Sequence, residues 1–331
     1  MDSPGSPGCR AGPTVLDSCW IHPVGAGRFL RFLMVGPCGP LCKRGDTSRY
    51  SAAVTVRLLA LDADGTVLDP KGAIRPAVQR AVGAARDRGV MVVLCTGRRY
   101  RTALPVCREL ELTGPQVVQN GVLVKDVASG ETLASRYLAP DLYDGALTLM
   151  RSVAPPLVYI DSEQQQVDIV CEPLDRAHAF QAEYLHDNSA VIRIVPSLDD
   201  PPSEDVVMLS CMADAAALEP LRDRIEAALG DRVRTNFLLN KNYRGHILEI
   251  VSRESGKWAA LEGLANESGI PVDEILAIGD DENDAEMIER AGMGVAMGNA
   301  VPAVQNVADY TTESNDEDGA ARAIQRFILE G

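Results

Sequence analysis

The sequence predicts an α/β protein: a mostly parallel sheet with a separate α+β unit inserted into it. Three observations carry this reading. From Val56 onward, short apolar runs suited to strands buried on both faces alternate with helical patterns. After residue 136 that alternation gives way to a mixture of helices and strands, and it resumes after residue 244. Finally, 331 residues exceed what one hydrophobic core commonly organises.

Taken in order, Arg57 to Leu61 reads as a first buried strand. Pro76 to Arg88 reads as a helix, with Val78, Val82 and Ala85 at helical spacing and Pro76 in its first turn. Gly89 ends it, and Val90 to Leu94 is a second strand. A helix from Tyr100 to Leu112 and a strand from Gln116 to Gln119 follow, an order that implies right-handed parallel crossovers. A hairpin is expected from Val122–Val124, through a Ser129-Gly130 turn, to Thr132–Tyr137. Within the insert, placed at residues 137–244, helices are expected at Leu142–Ser152, Leu174–Leu185 and Ala215–Leu229. Strands there include Leu157–Ile160, Val167–Val170, Val191–Val195 and Val206–Cys211, with Ser197–Ser203 as a loop. The parallel pattern returns with a helix at Lys257–Ser268, a strand at Ile275–Ile278 and a helix at Asp284–Ala291. A strand at Gly294–Met297 and a helix at Asp318–Leu329 close the chain, so the core is expected to comprise 56–136 and 245–331.

Hydrophobic residues make up 46% and charged residues 24%, the mix of an ordinary globular protein. Arg31 interrupts the best apolar run, Phe29 to Met34, so no membrane span is expected. A net charge of −15 argues against nucleic acid as a partner, because binding it needs an excess of Lys and Arg. The first 50 residues differ from the rest: they carry +3 and hold 14 Gly and Pro between them. Residues 1–55 are therefore expected to form a disordered extension. A targeting segment and a start codon placed too far upstream are the other readings. Cys9, Cys19, Cys38 and Cys42, with His22, lack the paired spacing of a zinc site. Cys95, Cys107, Cys171 and Cys211 are expected as free, buried thiols in a reducing cytoplasm.

Four short stretches carry chemistry. Asp62 and Asp64 follow the first strand, two residues apart and about 7 Å apart if extended. The turn at Gly65 lets both converge on one site at the carboxyl edge of the sheet, although Asp-x-Asp-Gly also simply starts turns. No further spaced oxygen ligands follow, which excludes an EF-hand. Thr96, at the end of the second strand, either caps the next helix or presents its hydroxyl and nearby amides to an anion. Lys257 opens a helix, where the macrodipole disfavours a cation unless an anion is close by. Asp280, Asp281, Glu282, Asn283 and Asp284 follow a later strand. Capping needs only one or two of them, and the rest repel one another unless a hard cation compensates; magnesium is the economical choice.

In this order, Asp62-Ala63-Asp64-Gly65-Thr66, Thr96, Lys257 and Gly279–Asp284 resemble the four motifs of the haloacid dehalogenase (HAD) superfamily. Thr96-Gly97-Arg98, Gln119-Asn120-Gly121 and the Gly279-Asp280-x-x-Asn283-Asp284-x-x-Met287 run resemble its Cof-type branch, subfamily IIB. Gly294–Ala300 and Asn315–Gly319 do so too, and the resemblance covers residues 56–331. It implies a Rossmann-like core with a C2B-type cap, and a Mg²⁺-dependent phosphatase that works through an aspartyl-phosphate. Asp62 is implied as nucleophile and Asp64 as general acid and base. Thr96, Gly97, Lys257 and Asn283 are implied as phosphate ligands. The metal falls to Asp62, the Asp64 backbone carbonyl and Asp280, with Asp284 in support. The implied substrate is a small phosphorylated metabolite, a sugar phosphate before FMN or pyridoxal phosphate. Arg193, Lys241, Tyr243, Arg244 and His246 are candidates for contacting it, or else ordinary surface residues. A cytoplasmic monomer or small homo-oligomer is expected. A phosphomutase and a catalytically silent sugar-phosphate binder are the alternative readings.

Overall fold

The computed structural model describes residues 55–161, 167–173, 177–240 and 245–331, all within the compact unit Asp46–Gly331. Residues 1–54 of the expected extension lie outside them, as do Lys241, Tyr243 and Arg244.

The chain runs β1 (Leu58–Leu61), α1 (Pro76–Asp87), β2 (Met91–Leu94), α2 (Tyr100–Glu109), β3 (Pro115–Val118), β4 (Leu123–Asp126) and β5 (Thr132–Ser135). It continues through α3 (Pro140–Arg151), β6 (Leu157–Ile160), β7 (Ile169–Cys171), α4 (Ala179–Asp187), β8 (Ile192–Ile194), β9 (Val206–Ala213) and α5 (Ala215–Leu229). Next come the strands β10 (Val233–Asn240) and β11 (Gly245–Ser252). It ends with α6 (Lys257–Glu267), β12 (Ile275–Gly279), α7 (Ala285–Arg290), β13 (Met293–Ala296), α8 (Pro302–Val307), β14 (Tyr310–Thr311) and α9 (Gly319–Ile324).

Five strands form a wholly parallel sheet in the order β14-β13-β12-β1-β2. Its central members are buried on both faces, as their unbroken apolar runs require: every residue of Leu58–Leu61 and Ile275–Gly279 is buried. The β3 segment departs from the expected parallel pattern. It meets β2 at one parallel bridge, Cys95 with Val117, and then pairs antiparallel with β4 in a three-stranded ribbon, β3-β4-β5.

The second large sheet has the order β10-β11-β9-β6-β7-β8 and is antiparallel except for β7 with β8. Val158, Ile160, Leu209, Cys211, Leu248 and Ile250 pack with α3 and α5 in their own apolar cluster. Alternate residues, such as Leu157, Tyr159, Met208 and Val251, join the cluster of the parallel sheet instead. The period of two thus builds two cores, one on each face.

Several elements differ from the expected ones. The α2 helix stops at Glu109, because Glu111 adopts a left-handed φ of 54°. The α4 helix starts at Ala179 rather than Leu174, and residues 174–176 lie outside the description. The last helix is α-helical only to Ile324 and continues as a π turn, Gln325–Leu329. The β10–β11 hairpin is absent from the sequence reading, because its polar Asn236 and Glu249 break the apolar run.

Leu59 sits fully buried at the centre of the parallel sheet. Leu59→Ala is expected to cost about 2–5 kcal/mol. Denaturant unfolding should show a lower midpoint with an unchanged slope.

Candidate active site

The site arises from register. Leu61 of β1 pairs with Ile278 of β12, so both chains leave the sheet side by side at its carboxyl edge. The strand order reverses direction here, which opens the crevice where α/β ligands bind. Asp62 donates its backbone N–H to the Ile278 carbonyl at 3.0 Å, and Asp280 stands just beyond the end of β12. The turn after Asp62 brings Gly65 against Asp280. Gly65 has φ +90°, and a Cβ there would lie 2.1 Å from Asp280 Oδ2. Only glycine fits both the dihedral and the space.

Lys257 donates from Nζ to Asp62 Oδ1 at 2.7 Å and to Asp284 Oδ1 at 2.6 Å. All three side chains are buried. The other oxygen of Asp284 accepts the backbone N–H groups of Asp280 and Asp281, at 3.0 and 3.1 Å. Asp281 caps the turn by accepting the Glu282 N–H at 2.8 Å. The acidic run therefore does both jobs the sequence left open: Asp281 and Asp284 serve the turn, and Asp284 also joins the buried cluster.

Asp62, Asp280 and Asp284 offer oxygens that all lie within 4.8 Å of one another. Burial pushes the Asp62 carboxyl well above the ordinary carboxylate range; Lys257 opposes this, and Asp284 and Asp280 add to it. For Lys257, burial pulls the ammonium down, but the two carboxylates outweigh it and hold the lysine charged. Three buried carboxylates against one ammonium leave an excess of negative charge. All-oxygen donors with that excess suit a hard divalent cation, so the residues present fit a metal.

Asp64 lies beside this cluster and is exposed. Arg98 grips it with two bonds, Nε to Oδ2 at 2.7 Å and Nη2 to Oδ1 at 2.6 Å. Thr96 is buried, and its Oγ1 accepts the Arg98 backbone N–H at 3.1 Å. It does not cap α2, whose N-cap is Arg99 without a side-chain bond. Gly97 follows, with Asn120 Oδ1 only 2.9 Å from where its Cβ would stand. Asn283 reaches the same amide, donating from Nδ2 to Asn120 Oδ1 at 2.9 Å. The structure therefore joins Asp62, Asp280, Asp284 and Lys257 directly, and links Thr96, Gly97 and Asn283 around Asn120.

Other sequence candidates go elsewhere. Arg193 is held by Glu204 at 2.7 and 2.9 Å, and His246 stacks on Phe237 with ring centroids 5.1 Å apart. Cys95, Cys107, Cys171 and Cys211 are free and buried as expected, and burial pushes the Cys211 thiol up to about 12. The contacts of three residues were not assigned from sequence. Arg98 clamps Asp64, Thr66 donates to Asp280 Oδ1 at 3.3 Å, and Asn299 donates to Gly65 O at 2.9 Å and Asp280 Oδ2 at 3.3 Å. Their only signal was membership of the Thr96-Gly97-Arg98, Asp62–Thr66 and Gly294–Ala300 runs.

The sequence profile of the haloacid dehalogenase-like hydrolases matches residues 59–324. The chain is 30% identical over 280 residues to 5-amino-6-(5-phospho-D-ribitylamino)uracil phosphatase YitU of Bacillus subtilis, covering 82% of this chain and 97% of that one. A haloacid dehalogenase-like hydrolase from Bacteroides thetaiotaomicron superposes with a TM-score of 0.70 at 28% identity, over 83% of this chain and 100% of that one. The subclass IIB sugar phosphatase BT4131 shares the fold at a TM-score of 0.68 and 19% identity, over 82% and 99%. Among the described residues no helix is long and apolar enough to cross a membrane. With its profile match over most of the chain and this cluster at the carboxyl edge of the sheet, the protein belongs to the haloacid dehalogenase-like hydrolases of the Cof type and is an enzyme of their phosphatase class.

Proposed function

We propose that the protein is a Mg²⁺-dependent phosphatase that hydrolyses a small phosphorylated metabolite, a sugar phosphate first among the candidates, through an aspartyl-phosphate. The observation that carries this is the buried set Asp62, Lys257, Asp280 and Asp284, with Asp64 alongside. Asp62, the Asp64 backbone carbonyl and Asp280 would hold the Mg²⁺, with Asp284 in support. When bound, the ion neutralises phosphoryl oxygens and fixes their orientation.

In the first step an Asp62 carboxylate oxygen attacks phosphorus and the P–O bond to the metabolite breaks. Asp64, in its acid form, gives its proton to the leaving oxygen. In the second step Asp64, now a carboxylate, takes a proton from water while the water oxygen attacks the aspartyl-phosphate. This frees Asp62 and inorganic phosphate and restores the Asp64 proton. The Arg98 clamp holds the Asp64 carboxylate in one place beside the cluster. The Lys257 ammonium, the Thr96 hydroxyl, the Gly97 amide and the Asn283 amide meet the charge that builds on the phosphoryl group. Lys257 does so from a fixed position, because its two carboxylate partners hold it charged.

Residues 137–244 are proposed as the cap that selects the metabolite, its sheet completed by β11 as far as Ser252. The name of the relative YitU adds a phosphorylated ribityl compound to the substrates worth testing. A cytoplasmic enzyme fits this substrate class.

Asp62→Asn should lower phosphate release from p-nitrophenyl phosphate and a sugar-phosphate panel by at least about 10³-fold. The same variant should melt higher than the native protein in EDTA at neutral pH. A carboxyl whose folded pKa is raised loses stability as pH rises through that value, and the amide removes this loss. Retained turnover would overturn the assignment of the nucleophile.

Asp64→Asn should lower steady-state turnover by about 10²–10⁴-fold. With p-nitrophenyl phosphate, whose leaving group needs no proton, it should give a burst of p-nitrophenol followed by a slow phase. Unchanged steady-state turnover of p-nitrophenyl phosphate would place Asp64 outside the second step.

Mg²⁺ should raise the melting temperature and EDTA should reverse the gain, because an ion bound only by the folded state stabilises it in proportion to RT ln(1 + [L]/Kd). Asp280→Asn should lose both this response and the phosphate release. A native protein indifferent to Mg²⁺ in both readouts would refute the metal assignment.

A further inference from the structure

Glu249 is a buried carboxylate outside the cluster described above. It lies on β11 in the six-stranded sheet, with Asn236 of β10 directly across from it and Ser210 of β9 on its other side. Among the described residues no cation pairs with it. Instead its Oε2 accepts two amide N–H groups, from Asn120 Nδ2 at 2.9 Å and from Asn236 Nδ2 at 3.0 Å. A buried carboxylate that gains only neutral donors is costly for a fold to keep.

The bond to Asn120 has a consequence beyond its own strand. An amide that gives its nitrogen to a carboxylate must present its oxygen the other way. Asn120 Oδ1 accordingly faces Asn283 and accepts its Nδ2 at 2.9 Å. Asn283 Oδ1 is buried without a hydrogen-bond partner among the described residues, so the orientation of that amide hangs on this one bond. The other end of the chain is anchored firmly. Gln119 and Asn120 both hold left-handed φ, 49° and 54°, and the Asn120 backbone N–H donates to Thr96 O at 3.0 Å. Two consecutive non-glycine residues in that region persist only where the surroundings impose them. Gly97, having no Cβ, lets the Asn120 amide approach.

We infer that Glu249 is a positioning residue: through Asn120 it sets the orientation of the Asn283 amide, so that the second N–H of Asn283 is held for a phosphoryl oxygen. The inference rests on the assignment of Asn283 to the phosphoryl group. Glu249 itself touches no reacting atom. With an apolar side chain in its place, the Asn120 amide is free to turn over, and its nitrogen then meets the Asn283 nitrogen.

The test is a double-mutant cycle in the full-length protein, with Mg²⁺ and p-nitrophenyl phosphate, reading kcat, KM and melting temperature. Asn283→Ala should lower kcat/KM about 10–100-fold, and Glu249→Leu about 10-fold. Glu249→Gln, which keeps an acceptor oxygen of the same reach, should restore kcat/KM to within about threefold of native. In the Asn283→Ala background, Glu249→Leu should cost nothing further in kcat/KM, although it still lowers the melting temperature. A merely structural role predicts the opposite: the same fold-loss in both backgrounds, and that result overturns the proposal. So does a Glu249→Leu protein with native kcat/KM beside an impaired Asn283→Ala. If Asn283→Ala alone keeps native kcat/KM, the assignment of Asn283 falls and the proposal with it. Should Glu249→Leu fail to fold, Asn120→Ala breaks the same chain at its middle link and enters the same cycle with the same readings.

Discussion

Three carboxylates and one ammonium share a buried volume at the carboxyl edge of β1 and β12, and the surrounding structure is arranged around that crowding. Burial raises the proton affinity of Asp62, Lys257 opposes it, and the neighbouring Asp284 and Asp280 add to it. The fold offsets the repulsion in three ways. Lys257 bridges two of the acids, and backbone N–H groups from the start of the turn after β12 satisfy Asp284. Thr66 and Asn299 donate to Asp280. What remains is an excess of negative charge, and such an excess is the condition under which a divalent cation binds to so few protein oxygens.

The same geometry gives the two aspartates after β1 different surroundings. Asp62 points into the cluster and is buried, which suits the nucleophile role proposed for it, since its charge is matched by fixed partners. Asp64, two residues on, is exposed and held by Arg98 from the turn after β2. The guanidinium fork fixes the direction of this carboxylate while leaving it open to water, as the acid–base role proposed for it requires. Between the two sheets and their helices, Arg99 and Arg101 meet Asp168, Lys125 meets Asp161 and Arg234 meets Glu286, while Glu249 reaches Asn120 beside the cluster.

Much of this was legible in the sequence because it depends on local pattern. The strands of the parallel sheet are continuous apolar runs, and the acids that follow β1 and β12 sit one residue beyond them. Lys257 could be singled out because a cation in a helix's first turn asks for an anion, and it has two. What stayed hidden depends on register between distant segments. Nothing local distinguishes Glu249 from an exposed acid in an amphipathic strand; its meaning comes from Asn236 directly across and Asn120 far away in the chain. The turn at Gln119–Gly121 was visible as a motif, but its left-handed backbone and its reach to Asn283 are tertiary facts. β3 lies where the sequence puts it and keeps a parallel bridge to the residue after β2, but an apolar run does not say that its main pairing will be the antiparallel one with the following hairpin.

The protein as a whole is acidic, with a net charge of −15, while the proposed substrate is an anion. The net charge gives no long-range attraction for it, and at physiological salt the field of distant charges decays over roughly 8 Å. Capture must rest on groups within contact range. The described cluster offers one buried ammonium, already shared between two carboxylates, and one guanidinium engaged with Asp64. Both are already engaged with carboxylates, which gives weight to the neutral donors proposed beside Lys257 at Thr96, Gly97 and Asn283. Neutral donors hold a phosphoryl group only when they point at it, so in an acidic protein the orientation of an amide such as that of Asn283 carries weight that a lysine-rich pocket would not require.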